Sequence, residues 1–195
     1  MSFIAITIHR WAQSYYADRI GATTALTLWI SKRKTKQKKE RSFPSGVIIP
    51  LLISFLSNGQ LFFAATTSTT TTVKPAYRLG RKFTRLTEFE YAKVAVIAPL
   101  VHILIAVIFN FSNNTIIQNF AQVNTMMAIS YMLPLPGLLG STIFFSSKPL
   151  YVFSASFILA SALLIKIISS TYTIILATII AILCLIMYFW QFYKK

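Results

Sequence analysis

The chain has 195 residues, 55% of them hydrophobic and only 12% charged, with a formal net charge of +15 and a mean hydropathy of +0.64. Several apolar runs approach or exceed the ~18–20 residues that cross a bilayer's hydrocarbon core, which excludes an ordinary soluble domain and points to a polytopic membrane protein. A single cysteine, Cys184, excludes an intrachain disulfide and any cysteine-based metal site.

The N-terminal apolar run, Phe3 to Ile8, has no basic n-region and no small-x-small cleavage site after it, so it does not read as a secretory signal. It leads into His9-Arg10-Trp11-Ala12-Gln13 and on to Gly21, where helical spacing puts His9, Gln13 and Ala17 on one face. Two positions one turn apart, with a third beside the first, form the frame in which H-E-x-x-H helices present two zinc ligands and a general base. Here that frame holds His9, with Arg10 at the place of the base and Gln13 at the place of the second ligand. Residues 1 to about 30 read as the first membrane element.

Ser31 to Arg41 carries seven basic residues and one acid. No aromatic residues interleave with them as stacking platforms, so nucleic acid is not expected as a partner. The run reads as a cytoplasmic topology signal beside the lipid bilayer. In the segment 46–73, the apolar part Val47 to Ala65 is interrupted by Pro50 and by Asn58-Gly59, a hairpin signal, and a threonine run follows that favours strand over helix. A spanning helix here would place Lys74, Arg78, Arg81, Lys82 and Arg85 opposite Lys32 to Arg41, against the positive-inside tendency. A re-entrant or interfacial hairpin keeps both basic stretches on one side, and is the expected form.

Phe89 to Phe111 reads as a clear span, and Asn110 to Asn119 as a polar loop. Ala121 to Phe145 is apolar but broken by Pro134, Pro136, Gly137 and Gly140, so it should face protein rather than lipid to satisfy its freed carbonyls. Leu150 to Ile168 and Tyr172 to Phe192 are two further spans whose short joint makes them antiparallel neighbours. The expected architecture is an all-α, multi-pass cell-membrane protein of about five membrane helices. Its N-terminus and loop 110–119 would lie outside, and the basic loops 32–41 and 74–93 and the C-terminus in the cytoplasm. Lys166 is the exception, near an outer helix end from which it could snorkel to the headgroups.

Three stretches together carry a resemblance. The His9 helix resembles the zinc helix of the site-2 protease family of intramembrane metalloproteases, whose motif runs on to a small residue and a glycine where this chain has Ala17 and Gly21. Ala98-Pro99-Leu100-Val101-His102 is similar to the family's A-G-P-L-x-N stretch, with His102 at the asparagine place. The run from Asn124 to Gly140 is similar to N-x-x-x-A-x-x-N-L-L-P-x-P-x-L-D-G, with Leu133, Pro134, Pro136, Leu138 and Gly140 matching. In it Tyr131 stands for the inner asparagine and Leu139 for the third zinc ligand, an aspartate. The resemblance covers roughly residues 3–145, and implies a site-2-protease-like helical core followed by two C-terminal transmembrane helices in 146–195.

The substitutions remove the family's chemistry. Catalytic zinc needs three protein ligands and an open position, and only His9 remains of the three. Arg10 is a permanent cation, and at ε ≈ 20 it would repel a divalent ion ~4 Å away by roughly 8 kcal/mol. No protease activity, metal or cofactor is therefore expected. A different donor set stays open: His9 and His102 with Met126, Met127 or Met132 could suit copper, although methionine in an apolar helix usually packs. Arg10 would pair with Asp18, a buried amide or a partner's acid. The expected role is a pseudoprotease scaffold, a structural or accessory subunit among other integral membrane proteins. The alternatives are a regulator that holds client transmembrane helices without cutting them and, more distantly, an active membrane metalloenzyme.

Overall fold

The computed structural model describes residues 2–34, 40–58, 63, 67–74, 85–112, 114–168 and 170–193. Gly59, the middle of the 31–41 loop and most of the basic stretch after Lys74, including Arg78, Arg81 and Lys82, lie outside the described residues. The body is mostly helical. Its helices are α1 (Ser2–Arg19), α2 (Ser45–Leu56), α3 (Glu88–Phe109), α4 (Thr115–Met132), α5 (Leu139–Ser146), α6 (Lys148–Leu164) and α7 (Ser170–Tyr193). Among the described residues four strands correct the all-α expectation: β1 (Ala22–Leu28), β2 (Ser31–Lys34), β3 (Glu40–Phe43) and β4 (Thr67–Val73).

Helix α1 buries Ala5, His9, Gln13 and Ala17, a single i, i+4 stripe, and lays it chiefly on α3. The helix stops at Gly21, whose φ of +75° ends it in the left-handed conformation that a side chain disfavours. The next residues, Ala22 to Leu28, were expected to continue a membrane helix, but they form β1. Three threonines in this stretch favour the extended chain, and the threonine run of β4 supplies an antiparallel partner from Ala22↔Val73 to Leu28↔Thr67. Thr23 and Thr72 face each other in this ladder with their hydroxyls 2.7 Å apart.

The threonine run is thus a strand, as its composition predicts, but its mate is β1 and not the other arm of the 46–73 segment. That other arm is α2, twelve residues with Pro50 inside, about 18 Å long at 1.5 Å per residue and short of a ~30 Å core. Asn58, just past its end, takes the left-handed conformation at φ +52°. β2 and β3 pair as a small antiparallel ribbon at the two ends of the basic loop.

Trp29 ties these pieces to the helical body. Its carbonyl accepts from the Gly46 amide at 2.8 Å and the Ser45 hydroxyl at 3.1 Å, satisfying orphan donors at the start of α2. Its indole Nε1 donates to Pro136 O at 2.9 Å, in the break between α4 and α5. Gly137, at φ +89°, leaves room for that ring, because a Cβ there would lie 2.8 Å from Nε1.

The centre of the body is α3, which packs against α1, α4, α5, α6 and α7. It starts with a capping box: Thr87 Oγ1 accepts from the Glu90 amide at 3.3 Å, and Glu90 Oε2 accepts from the Thr87 amide at 2.8 Å. Helix α4 begins at Thr115, inside the segment expected to be a polar loop, because Asn114 caps it through the Ile116 amide at 2.9 Å. The proline-broken run behaves as expected: α4 ends at Met132 and α5 resumes at Leu139, with Leu138 and Leu139 buried in the main core.

Among the described residues, two helices, α3 and α7, are long and apolar enough to cross a membrane. Of the other three expected membrane helices, α6 is shorter, and α1 and α4 carry polar residues along their length.

Gly140 sits where α5 folds back on the end of α4. A Cβ at this position would lie 2.3 Å from Met132 O and 2.4 Å from Leu133 O, both backbone atoms that cannot move aside cheaply. Gly140→Ala is therefore expected to destabilise the protein by about 1–3 kcal/mol, measured as the loss in unfolding free energy in detergent.

Candidate functional site

Helix α1 brings His9 and Gln13 to α3, and α4 closes the third side. His9 Nδ1 lies 2.9 Å from His102 Nε2, and His102 Nδ1 lies 2.9 Å from Asn124 Oδ1. Asn124 Nδ2 donates in turn to Phe120 O at 2.8 Å, one turn back in α4. His9, His102 and Asn124 are all fully or almost fully buried.

This chain of contacts has one direction. Because the Asn124 amide donates to a carbonyl, its oxygen faces His102 and accepts, so His102 Nδ1 carries the proton. A neutral His102 then offers a bare Nε2, and His9 Nδ1–H donates to it. Two charged rings would set donor against donor at 2.9 Å, so the geometry excludes protons on all four ring nitrogens. His9 Nε2 is left as an acceptor with no hydrogen-bond partner among the described residues.

Tyr131 walls the pair. Its ring stacks on His102 at 5.6 Å and meets His9 edge-on at 5.9 Å. Its hydroxyl is fixed 2.6 Å from Thr67 Oγ1, at the start of β4. Gln13, one turn beyond His9, is held at both ends of its amide: Nε2 donates to Val94 O at 3.1 Å, and Oε1 accepts from Thr69 Oγ1 at 3.2 Å. The strand β4 therefore completes the site through Thr67 and Thr69, a contribution that the sequence reading did not foresee.

The sequence-expected positions thus divide. His9, Gln13 and His102 come together with Asn124 and Tyr131. Arg10 is exposed and turned away from them, as its place one residue off the buried stripe of α1 requires. Its expected partner Asp18 is instead bound by Lys74, at 2.8 Å. Leu139 is buried in the apolar cluster of α3, α4, α5 and α6 and adds no polar atom to the site. Asn124 and Tyr131 were legible as the two asparagine places of the family-like stretch, not as partners of His102.

The donor set does not fit catalytic zinc. Of the polar atoms here one imidazole nitrogen is unengaged, and Gln13 spends both ends of its amide on β4 and α3. A metal shared by His9 and His102 would have to displace the hydrogen bond between His9 Nδ1 and His102 Nε2. Met127 and Met132 lie in the main core, and Met126 lines a separate cleft. Among the described residues, no group of three or more His, Cys, Asp or Glu side chains could hold a metal ion.

Comparison with protein-family models, with curated proteins and with solved structures finds no match to this chain.

The proton assignment has a direct spectroscopic consequence. With ¹⁵N-labelled histidine, both rings are expected as the Nδ1–H tautomer, the rarer form of a free imidazole. Asn124→Leu should remove that bias at His102 and destabilise the protein by about 1–3 kcal/mol, because it leaves a buried N–H without an acceptor. Two Nε2–H rings in the unaltered protein would contradict the assigned direction.

Proposed function

We propose that this chain is a non-catalytic integral membrane protein, a degenerate relative of the site-2 proteases that serves as an accessory subunit of a larger membrane complex. The observation that carries the reading is the closure of the polar positions on one another. Where a zinc protease keeps ligands free and one coordination position open, His9 is bonded to His102 and Gln13 to Val94 and Thr69. The three stretches that resemble the family are also neighbours through α1, α3 and α4, which supports a common origin for the arrangement.

The outer surface supports a membrane setting. Helix α7 presents most of its apolar side chains outward, among them Leu183, Ile186 and Trp190. On the outer face of α1, Trp11 stacks on Tyr15 at 5.8 Å, and the Arg19 guanidinium lies 4.7 Å from the Tyr15 ring centre. Such amphipathic side chains suit the headgroup level. Helix α2, with Phe55 and Leu56 exposed, suits an interfacial or re-entrant position. In this reading the N-terminus and the 110–114 turn face outward, and the basic loops and the C-terminus face the cytoplasm.

Restoring the lost groups tests the family relation. A triple variant, Arg10→Glu with Gln13→His and Leu139→Asp, is expected to bind one zinc per chain by elemental analysis, whereas the unaltered protein binds none. Leu139→Asp alone should destabilise by roughly 2–3 kcal/mol or more, since a lone carboxylate would enter an apolar interior. A triple variant that folds without zinc would sink the relation. The subunit role is tested separately, by mild detergent extraction and crosslinking in native membranes. A fixed set of stoichiometric membrane partners is expected; a changing set of single-span clients would favour the client-holding regulator, and a lone monomer would exclude both.

A further inference from the structure

On the side of the bundle where α3 ends, a cleft of about 580 Å³ opens between α4 and the end of α6. Its polar lining is Asn110, Gln118, Gln122, Thr125 and Lys166, over a floor that includes Met126. Gln118, Gln122 and Thr125 follow one another at i, i+4 and i+7 along one face of α4. The cleft is built, because Asn110 Nδ2 donates to Ile165 O at 2.9 Å and so pins the end of α3 to the end of α6. It is also separate from the His9 site, which uses none of these side chains.

The chemistry is that of an anion site. Lys166 is exposed and makes no ion pair among the described residues. The chain has only four acids, Asp18, Glu40, Glu88 and Glu90, and none lines the cleft. Gln122 adds an amide without a hydrogen-bond partner among the described residues. Below the cation the surface becomes apolar: Leu159, Leu163 and Lys166 lie on one face of α6 and its last turn, and the two leucines are exposed. A cationic, amide-lined cleft at the level where an apolar span ends, with an apolar track leading away from it, matches a charged head joined to acyl chains.

We propose that this cleft binds a phosphate-ester anion, presented as the headgroup of an anionic phospholipid, with Lys166 and Gln122 as the donors to the phosphate and the Leu159–Leu163 track against an acyl chain. The inference rests on the reading of α3 as a membrane span, and its test separates the two. The full chain is reconstituted in nanodiscs of phosphatidylcholine with or without phosphatidylglycerol, and the lipid retained after release is counted by native mass spectrometry. Preferential retention of phosphatidylglycerol is expected, reduced about five- to tenfold by Lys166→Gln, reduced also by Gln122→Leu, and kept by Lys166→Arg. Lys148→Gln, at the opposite end of α6, should leave it unchanged. Incorporation with no preference for the anionic lipid, or an equal loss in Lys148→Gln, would overturn the inference while leaving the span intact. Failure to insert into nanodiscs at all would overturn both. Glycerol phosphate bound as tightly in phosphatidylcholine nanodiscs would refute a lipid source, and a carboxylate of a partner protein crosslinked to Lys166 in native membranes would refute a phosphate ligand.

Discussion

A 2.9 Å hydrogen bond between two buried imidazoles is the contact on which the arrangement of the N-terminal half depends. It joins α1 to α3, and through Asn124 it joins both to α4. In an apolar interior an unpaired N–H or lone pair costs several kcal/mol, so each of these groups has few acceptable partners. Sliding α1 by one turn along α3 would separate His9 from His102 and Gln13 from Val94 together. The apolar residues around them tolerate such a shift far better. Register is therefore set by the polar atoms, and close approach by the small ones, Ala5, Ala17, Ala95 and Ala98.

The two-stranded sheet depends on the same contact at one remove. β4 reaches the helical body through Thr67 to Tyr131 and Thr69 to Gln13, and β1 is held to β4 by the ladder. Trp29, at the end of β1, then meets the break after α4 through Pro136 O. The chain thus closes a loop of contacts from α1 through both strands to α4 and back to α1. Proline and glycine in the break make this possible. The prolines stop α4 where a carbonyl must turn toward the indole, and Gly137 and Gly140 remove the Cβ atoms that would block Trp29 and the α4 carbonyls.

What the sequence could reveal follows from the range of each signal. The buried stripe of α1, the strand at the threonine run and the break at Pro134 to Gly140 are all written in residues adjacent to their effect. β1 was missed because Ala22 to Leu28 is apolar enough to extend a membrane helix. Its strand character is decided by a partner some 45 residues away in the chain. The early start of α4 turned on one cap, Asn114, in a stretch that composition marks as polar loop. Arg10 was misplaced for a different reason. Its position in the zinc motif suggested an inward side chain, whereas the helical stripe through His9 and Gln13 already turned it outward.

The many buried polar groups of the His9 site have a reason in helix assembly. Lipid tails are as apolar as leucine, so burial of apolar surface gives helices within a bilayer little reason to choose one neighbour over another. Hydrogen bonds and close packing must carry that choice. A zinc ion with three ligands would fix three helices at one point; here an imidazole pair, an asparagine and a glutamine fix α1, α3, α4 and β4 with neutral groups alone. Neutral groups need no counter-ion and no water-filled path. The hydrogen bonds of His9, Gln13, His102 and Asn124 therefore give the helices a way to hold their places.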